Sequence, residues 1–154
     1  MIAVVQRVRS ASVAIDGETV GRCGKGFLIL LGVAKGDDSE DVTVLASKIA
    51  KLRIFEDENG KMNRALPDVG GELLVVSNFT LLADYRRGNR PDYMNAEEPT
   101  RAKALYERFA DEIAALSGCQ TETGVFGADM AISLVNDGPV TMVLESAELK
   151  RRKG

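Results

Sequence analysis

Phe27-Leu28-Ile29-Leu30-Leu31-Gly32-Val33 is a continuous apolar run, bounded by Gly26 before it and Gly36 after it. Such a run fits a strand buried on both faces. Upstream, the pattern alternates: Ala3, Val5 and Arg7 against Val4, Gln6 and Val8, continuing at Val13 and Ile15. Asp16-Gly17 then marks a tight turn, with Val20 beyond it, so the chain opens as antiparallel strands. Downstream the period changes. Val42, Leu45, Ala46, Ile49 and Leu52 fall on one helical face over residues 39–52, with Asp38 or Ser39 available as the cap.

Further along, residues 53–56 read as a short strand and Asn59-Gly60 as a hairpin turn. Residues 72–79 form a second buried strand. Residues 84–98 are polar and rich in Arg, Asn and Pro; a loop of this length is functional or disordered. Pro99 opens a long helix, where its missing N–H costs nothing. Ala102, Leu105, Tyr106, Phe109, Ile113 and Leu116 make its buried stripe, and Gly118 ends it. Strands at 129–135 and 140–145 close the chain. Without strict strand–helix alternation, this is an α+β protein rather than a doubly wound sheet. The expected architecture is a largely antiparallel sheet curled into a barrel, with two main helices packed outside. One domain spans 1–150, followed by a basic tail at 151–154.

With 154 residues, 45% hydrophobic and 28% charged, the chain can build a full core without disulfides or metals. No apolar run approaches a membrane span, and no signal peptide is evident. Cys23 and Cys119 have no metal-ligand or redox spacing and read as ordinary thiols of a reducing cytosol. Histidine is absent. That removes the catalytic systems in which imidazole takes the proton, and the usual zinc sites. A net charge of −3 argues against a generic nucleic-acid binder, although Arg86, Arg87 and Arg90 cluster, as do residues 150–153. Gly21, Gly24 and Gly26 lie between strands and make no dinucleotide fingerprint.

Two segments carry candidate chemistry. Ser77-Asn78-Phe79-Thr80 ends a buried strand, where backbone N–H groups stop pairing and become free for a ligand; a polar strand terminus bonding to itself is the alternative. Asn136-Asp137-Gly138-Pro139 lies between two strands and can be a plain turn. It can also hold a cis peptide, which only an X-Pro bond adopts cheaply. Its two carbonyls would then point the same way and could reject a side chain by steric clash.

With these segments the chain resembles the D-aminoacyl-tRNA deacylase family. The resemblance is carried by residues 3–8 (AVVQRV), 52–57 (LRIFED), 60–63 (GKMN), 88–91 (GNRP), 124–130 (GVFGADM) and 136–141 (NDGPVT). It implies a homodimer with shared active sites. Ser77, Phe79 and Thr80 come from one subunit, and Gly138 and Pro139, with a cis peptide, from the other. Asn136, Met130 and Ala128 would support the pocket. Asn78 stands where glutamine is usual, retracting the amide by roughly 1.5 Å. The implied substrate is the aminoacyl-tRNA 3′ end, carrying a D-amino acid or glycine; Arg7, Arg86, Arg87 and Arg90 are candidate tRNA contacts. The implied location is the cytoplasm, and no DNA, membrane, metal or organic cofactor is implied. Hydrolysis assisted by the substrate's 2′-hydroxyl is favoured over a Thr80 nucleophile. The rival readings are a covalent Thr80 or Ser77 esterase on a small molecule, and a non-catalytic dimeric binder of tRNA 3′ ends.

Overall fold

The computed structural model describes residues 1–152 of the chain. Its organising element is the first strand, β1 (Ile2–Ile15). After the Asp16-Gly17 turn come β2 (Glu18–Cys23) and β3 (Gly26–Gly32). One edge of β1 carries β3 over Ile2–Val8 and β2 over Ala11–Ile15, both antiparallel. Helix α1 (Ser39–Lys51) follows, then a small hairpin of β4 (Phe55–Glu56) and β5 (Met62–Arg64). Strand β6 (Glu72–Ser77) lies parallel to β3. After helix α2 (Pro99–Ser117), β7 (Thr121–Thr123) lies parallel to β6. Strand β8 (Ala131–Glu145) runs antiparallel along the remaining edge of β1, and the short helix α3 (Ser146–Arg151) follows it.

The sheet is therefore mixed, with order β2-β1-β3-β6-β7 and β8 branching from β1. It curls until β2 approaches β7: the Arg22 N–H donates to the Glu122 carboxylate at 3.2 Å. Gly21 permits this near-closure, because a Cβ there would lie 2.6 Å from the Thr123 carbonyl oxygen.

The apolar run divides its side chains between two cores, because successive residues of a strand face opposite ways. Phe27, Ile29 and Leu31 join Leu73 and Val75 beneath both main helices, against Leu45, Ile49, Phe109 and Ile113. Leu28 packs inside the curl with Val8, Val13, Leu74 and Val76. Each such side chain fully buried contributes about 1.5–3 kcal/mol. The helices have the boundaries their caps dictate. Asp38, not Ser39, caps α1, accepting from Glu40 N at 3.0 Å and Asp41 N at 3.4 Å. The Glu98 carboxylate caps α2 ahead of Pro99, and Gly118, left-handed at φ 66°, ends it.

Several elements differ from the sequence reading. The strand predicted at 53–56 begins only at Phe55, and Leu116 is 49% exposed rather than part of the stripe. The two final strands are one, bulged where a side chain replaces the ladder. Gln6 pairs with Thr141 and Val8 with Asn136, so Asp137–Val140 loop out opposite Arg7 alone. The Asn136 amide closes the bulge by donating to the carbonyls of Arg7 (2.9 Å) and Val140 (3.1 Å). The Gly138–Pro139 peptide within it is cis. Arg151, placed at the start of the tail, is the last residue of α3; residues 153–154 lie outside the described residues.

A buried polar knot ties α3 to α1. Ser146 Oγ donates to Asp41 Oδ1 at 2.7 Å and accepts from the Met1 amino group at 2.9 Å. Lys150 Nζ lies 2.9 Å from the same Asp41 oxygen. Burial works against ionising Asp41, but the bonds from Ser146, the Asp38 N–H and Lys150 outweigh it and hold the carboxyl down to about 2. A carboxyl depressed in the folded state stabilises the fold above its unfolded value near 3.8; that contribution fades as pH falls through about 2. Asp41→Asn is expected to cost roughly 2 kcal/mol at pH 7. Urea unfolding at pH 7 and pH 3 checks this: the gap between variant and wild type narrows at the lower pH.

Candidate active site

Strand β6 ends at Ser77 because its neighbour β3 ends: Leu31 is the last partner, and Asn78 N donates to the Leu31 carbonyl at 2.8 Å. The chain then turns into a 3-10 helix, Phe79–Leu82, capped by Asn78. The Asn78 Oδ1 accepts from Thr80 N–H at 3.1 Å and also from the Thr80 hydroxyl. Asparagine is among the best residues for this task, since its short amide reaches back to the second or third N–H of the turn. The Phe79 N–H sits at the first helical position, where no intrahelical acceptor exists, and meets no acceptor among the described residues.

This turn forms one wall of a cavity of about 670 Å³. Ser77, Asn78 and Phe79 line it together with Ala128 and Met130 from the segment before β8. The other walls are Tyr93, Ala96, Glu97 and Glu98 ahead of α2, Pro99, Ala102 and Tyr106 on it, and Phe126 and Asp129. Phe79 is 58% exposed at the mouth, its ring edge-on to Tyr93 with centroids 4.9 Å apart. Tyr106 donates to the Val75 carbonyl at 2.8 Å and so props β6 from behind. Burial pushes its phenol up to about 12, so it stays protonated at neutral pH. Cys23 is likewise no nucleophile: burial first, then the charge of Glu72, pushes its thiol up to about 11.

The structure sorts the sequence candidates into three groups. Ser77, Asn78, Phe79, Ala128 and Met130 share the cavity, with Thr80 exposed beside it. Gly138 and Pro139 are exposed but belong elsewhere in the chain. Their loop faces Arg7, which is level with Phe27 and Leu73, whereas Ser77 lies four residues further along β6. That is about 13 Å along the strands and three strand spacings, about 14 Å, across them. Asn136 braces that loop and is not part of the cavity wall.

Arg7 corrects the expectation of a tRNA contact. It is 6% exposed and spends its guanidinium inward. Nη1 donates to the Ile54 carbonyl at 2.6 Å and Nε to the Asp137 carbonyl at 3.1 Å, with the Asp137 carboxylate at 3.3 Å. A guanidinium buried this far and turned toward the protein's own acceptors does not reach out to a phosphate on the surface. Sequence reading missed Tyr93 and the start of α2 as cavity walls. Tyr106 was legible only as a core residue; its second role depends on where α2 crosses β6.

The α+β barrel thus carries a cavity at a strand end, walled by a capped turn whose first N–H meets no acceptor among the described residues, which is the layout of a small ligand-binding or catalytic domain. Comparison with known proteins makes the assignment specific. A family model described as D-Tyr-tRNA(Tyr) deacylase matches residues 4–145. The chain is 56% identical over 146 residues to the D-aminoacyl-tRNA deacylase of Chlorobaculum tepidum, covering 95% of this chain and 97% of that protein. It is 53% identical over 148 residues to the D-aminoacyl-tRNA deacylase of Paracoccus denitrificans, covering 96% and 99%. Among solved structures, a c-Myc DNA Unwinding Element Binding Protein superposes with a TM-score of 0.88 at 38% identity, over 94% of this chain and 98% of that one. A "probable eukaryotic D-amino acid tRNA deacylase" shares the fold, with a TM-score of 0.79 at 14% identity over the same shares. The chain belongs to the D-Tyr-tRNA(Tyr) deacylase family and is a hydrolase with D-aminoacyl-tRNA deacylase activity.

Because Asn78 organises the turn, Asn78→Ala is expected to lose about 1 kcal/mol of stability. Asn78→Gln, with a longer arm, recovers less than half of that. Urea midpoints of the three proteins test the ordering; a glutamine variant as stable as wild type would refute the capping role.

Proposed function

We propose that the chain removes D-amino acids and glycine from tRNA by substrate-assisted hydrolysis, in active sites shared between two copies. The observation that carries this reading is the division of labour around Asn78. Its carboxamide oxygen occupies both the N–H and the hydroxyl proton of Thr80, leaving the Phe79 N–H as the donor open to a ligand. An amide oxygen is too weak a base to activate a hydroxyl, so Thr80 is a poor nucleophile. A donor placed like Phe79 N–H stabilises the oxyanion of an ester's tetrahedral intermediate, typically by about 2.7–4 kcal/mol. In this reading the oxyanion donor is the Phe79 N–H, because Asn78 already holds the Thr80 N–H.

In the proposed reaction a water oxygen bonds to the ester carbonyl carbon, and the bond to the ribose oxygen breaks. One water proton leaves with the ribose oxygen. The adjacent 2′-hydroxyl of the terminal adenosine orients the water, and Thr80 aligns the substrate. Products are the free amino acid and tRNA. Ser77, Ala128 and Met130 shape the pocket.

Chirality follows from exclusion. The Gly138-Pro139 loop of a second copy enters the cavity and sets its carbonyls where an L side chain would project. Support comes from the exposure of that loop, its distance from its own cavity, and the bracing by Arg7 and Asn136 that makes it rigid. The pairing surface is offered by β8, whose edge away from β1 carries no strand among the described residues, with Leu134, Val135 and Val143 exposed beside it. An open edge of this kind is a template for another chain. Glycine has no side chain to clash and passes the same filter. The location consistent with this task is the cytoplasm; no helix among the described residues is long and apolar enough to cross a membrane.

Release of tyrosine from matched D- and L-tyrosyl-tRNA tests the filter: the D ester is cleaved and the L ester survives, and equal rates would overturn exclusion. Glycyl-tRNA is hydrolysed measurably at high enzyme concentration. In single-turnover assays Thr80→Ala keeps substantial activity, while a 2′-deoxy terminal adenosine abolishes it. The opposite pair of results would favour covalent catalysis.

A further inference from the structure

The long polar segment after the active-site turn is neither loose nor featureless. Asp84 and Asp92 exchange two backbone hydrogen bonds, 2.8 and 2.9 Å, which pinch off the loop of residues 85–91. Its base adjoins the cavity: Asp84 lies two residues beyond the Phe79–Leu82 turn, and Tyr93 packs against Phe79. Seven residues folded back reach at most about 12 Å from that base.

The three arginines of this loop are not equivalent. Arg86 turns back, donating from Nε and Nη2 to the two oxygens of Asp84 at 2.9 and 2.7 Å, while its own N–H also bonds that carboxylate. The pair holds the Asp84 carboxyl down to about 2, mainly through the guanidinium's hydrogen bonds. Arg87 and Arg90 are exposed and meet no carboxylate among the described residues. Tyr85, beside them, is 71% exposed. On a chain of net charge −3, free cations next to a bare aromatic ring suit a single nucleic-acid strand, with phosphates on the cations and a base on the ring.

Resting on the deacylase reading above, we propose that Arg87 and Arg90 hold backbone phosphates of the unpaired tRNA 3′ strand just before the terminal adenosine, and that Tyr85 stacks on one of its bases. Arg86 is the clip that shapes the loop. A stacked strand rises about 3.4 Å per nucleotide, so two or three phosphates fall within the loop's reach of the cavity. Contacts to phosphate carry no base identity, which suits an enzyme that must serve tRNAs of every sequence.

The test compares D-tyrosyl-tRNA with the minimal ester 3′-D-tyrosyl-adenosine over a range of potassium chloride concentrations. For wild type, kcat/KM on the charged tRNA falls with salt, and on the minimal ester it hardly changes. The double variant Arg87→Ala/Arg90→Ala is expected to flatten the logarithmic salt slope by about 1.4, at about 0.7 per phosphate of a single strand. It also lowers the ratio of the two kcat/KM values about tenfold or more. Tyr85→Ala lowers that ratio about fivefold with the slope intact. A double variant with the wild-type slope overturns this assignment while the deacylase reading stands. Wild type that cleaves neither ester overturns both.

Discussion

Everything in this fold hangs on β1 being hydrogen-bonded along both edges. One edge is shared between β3 and β2, and the other is taken by β8 alone. A strand bonded on both sides cannot slip by one residue without moving every side chain to the opposite face. The register of the whole barrel, and thus the level at which β6 stops beside β3, is set from this strand. The cavity exists because β6 and β3 end together while the segment from Phe126 to Met130 continues past them.

Two side chains then convert loose ends into rigid geometry. Arg7, facing inward from β1, ties the Asp137 backbone and the Ile54 carbonyl to one buried cation. With Asn136 bridging two carbonyls, the bulge that carries Gly138 and Pro139 is held from both sides. At the other end of the molecule Asn78 does similar work for the turn after β6. In each case a polar side chain replaces backbone pairing where the regular ladder stops, so the exposed segment loses little order for being outside the sheet.

Without histidine the usual general base is absent, and the proposed mechanism draws on fixed dipoles and on the substrate. The structure is consistent with that economy. Burial pushes Tyr106 and Cys23 further above neutrality, and the Thr80 hydroxyl donates to the Asn78 amide. In the proposed mechanism the donor is the Phe79 N–H at the start of a capped turn, which costs no reorganisation when negative charge develops near it.

The sequence by itself was sufficient for the elements whose signals are local. The buried strand at Phe27, the turn at Asp16-Gly17, both long helices, the Gly118 stop and the α+β class follow from periodicity and from cap and turn chemistry acting within a few residues. The polar residues at the end of β6 were visible because hydroxyls and an amide abruptly follow an apolar run. The parallel pairing of β3 with β6, the joining of the two last strands into β8, and the walls contributed by Tyr93 and α2 were decided only in three dimensions. So were the fates of the arginines: Arg7 buried, Arg86 clipped to Asp84, Arg87 and Arg90 exposed with no carboxylate partner among the described residues. Charge and hydrophobicity are properties of a residue, but whether a cation is paired, buried or available depends on which distant acceptors the folded chain brings to it.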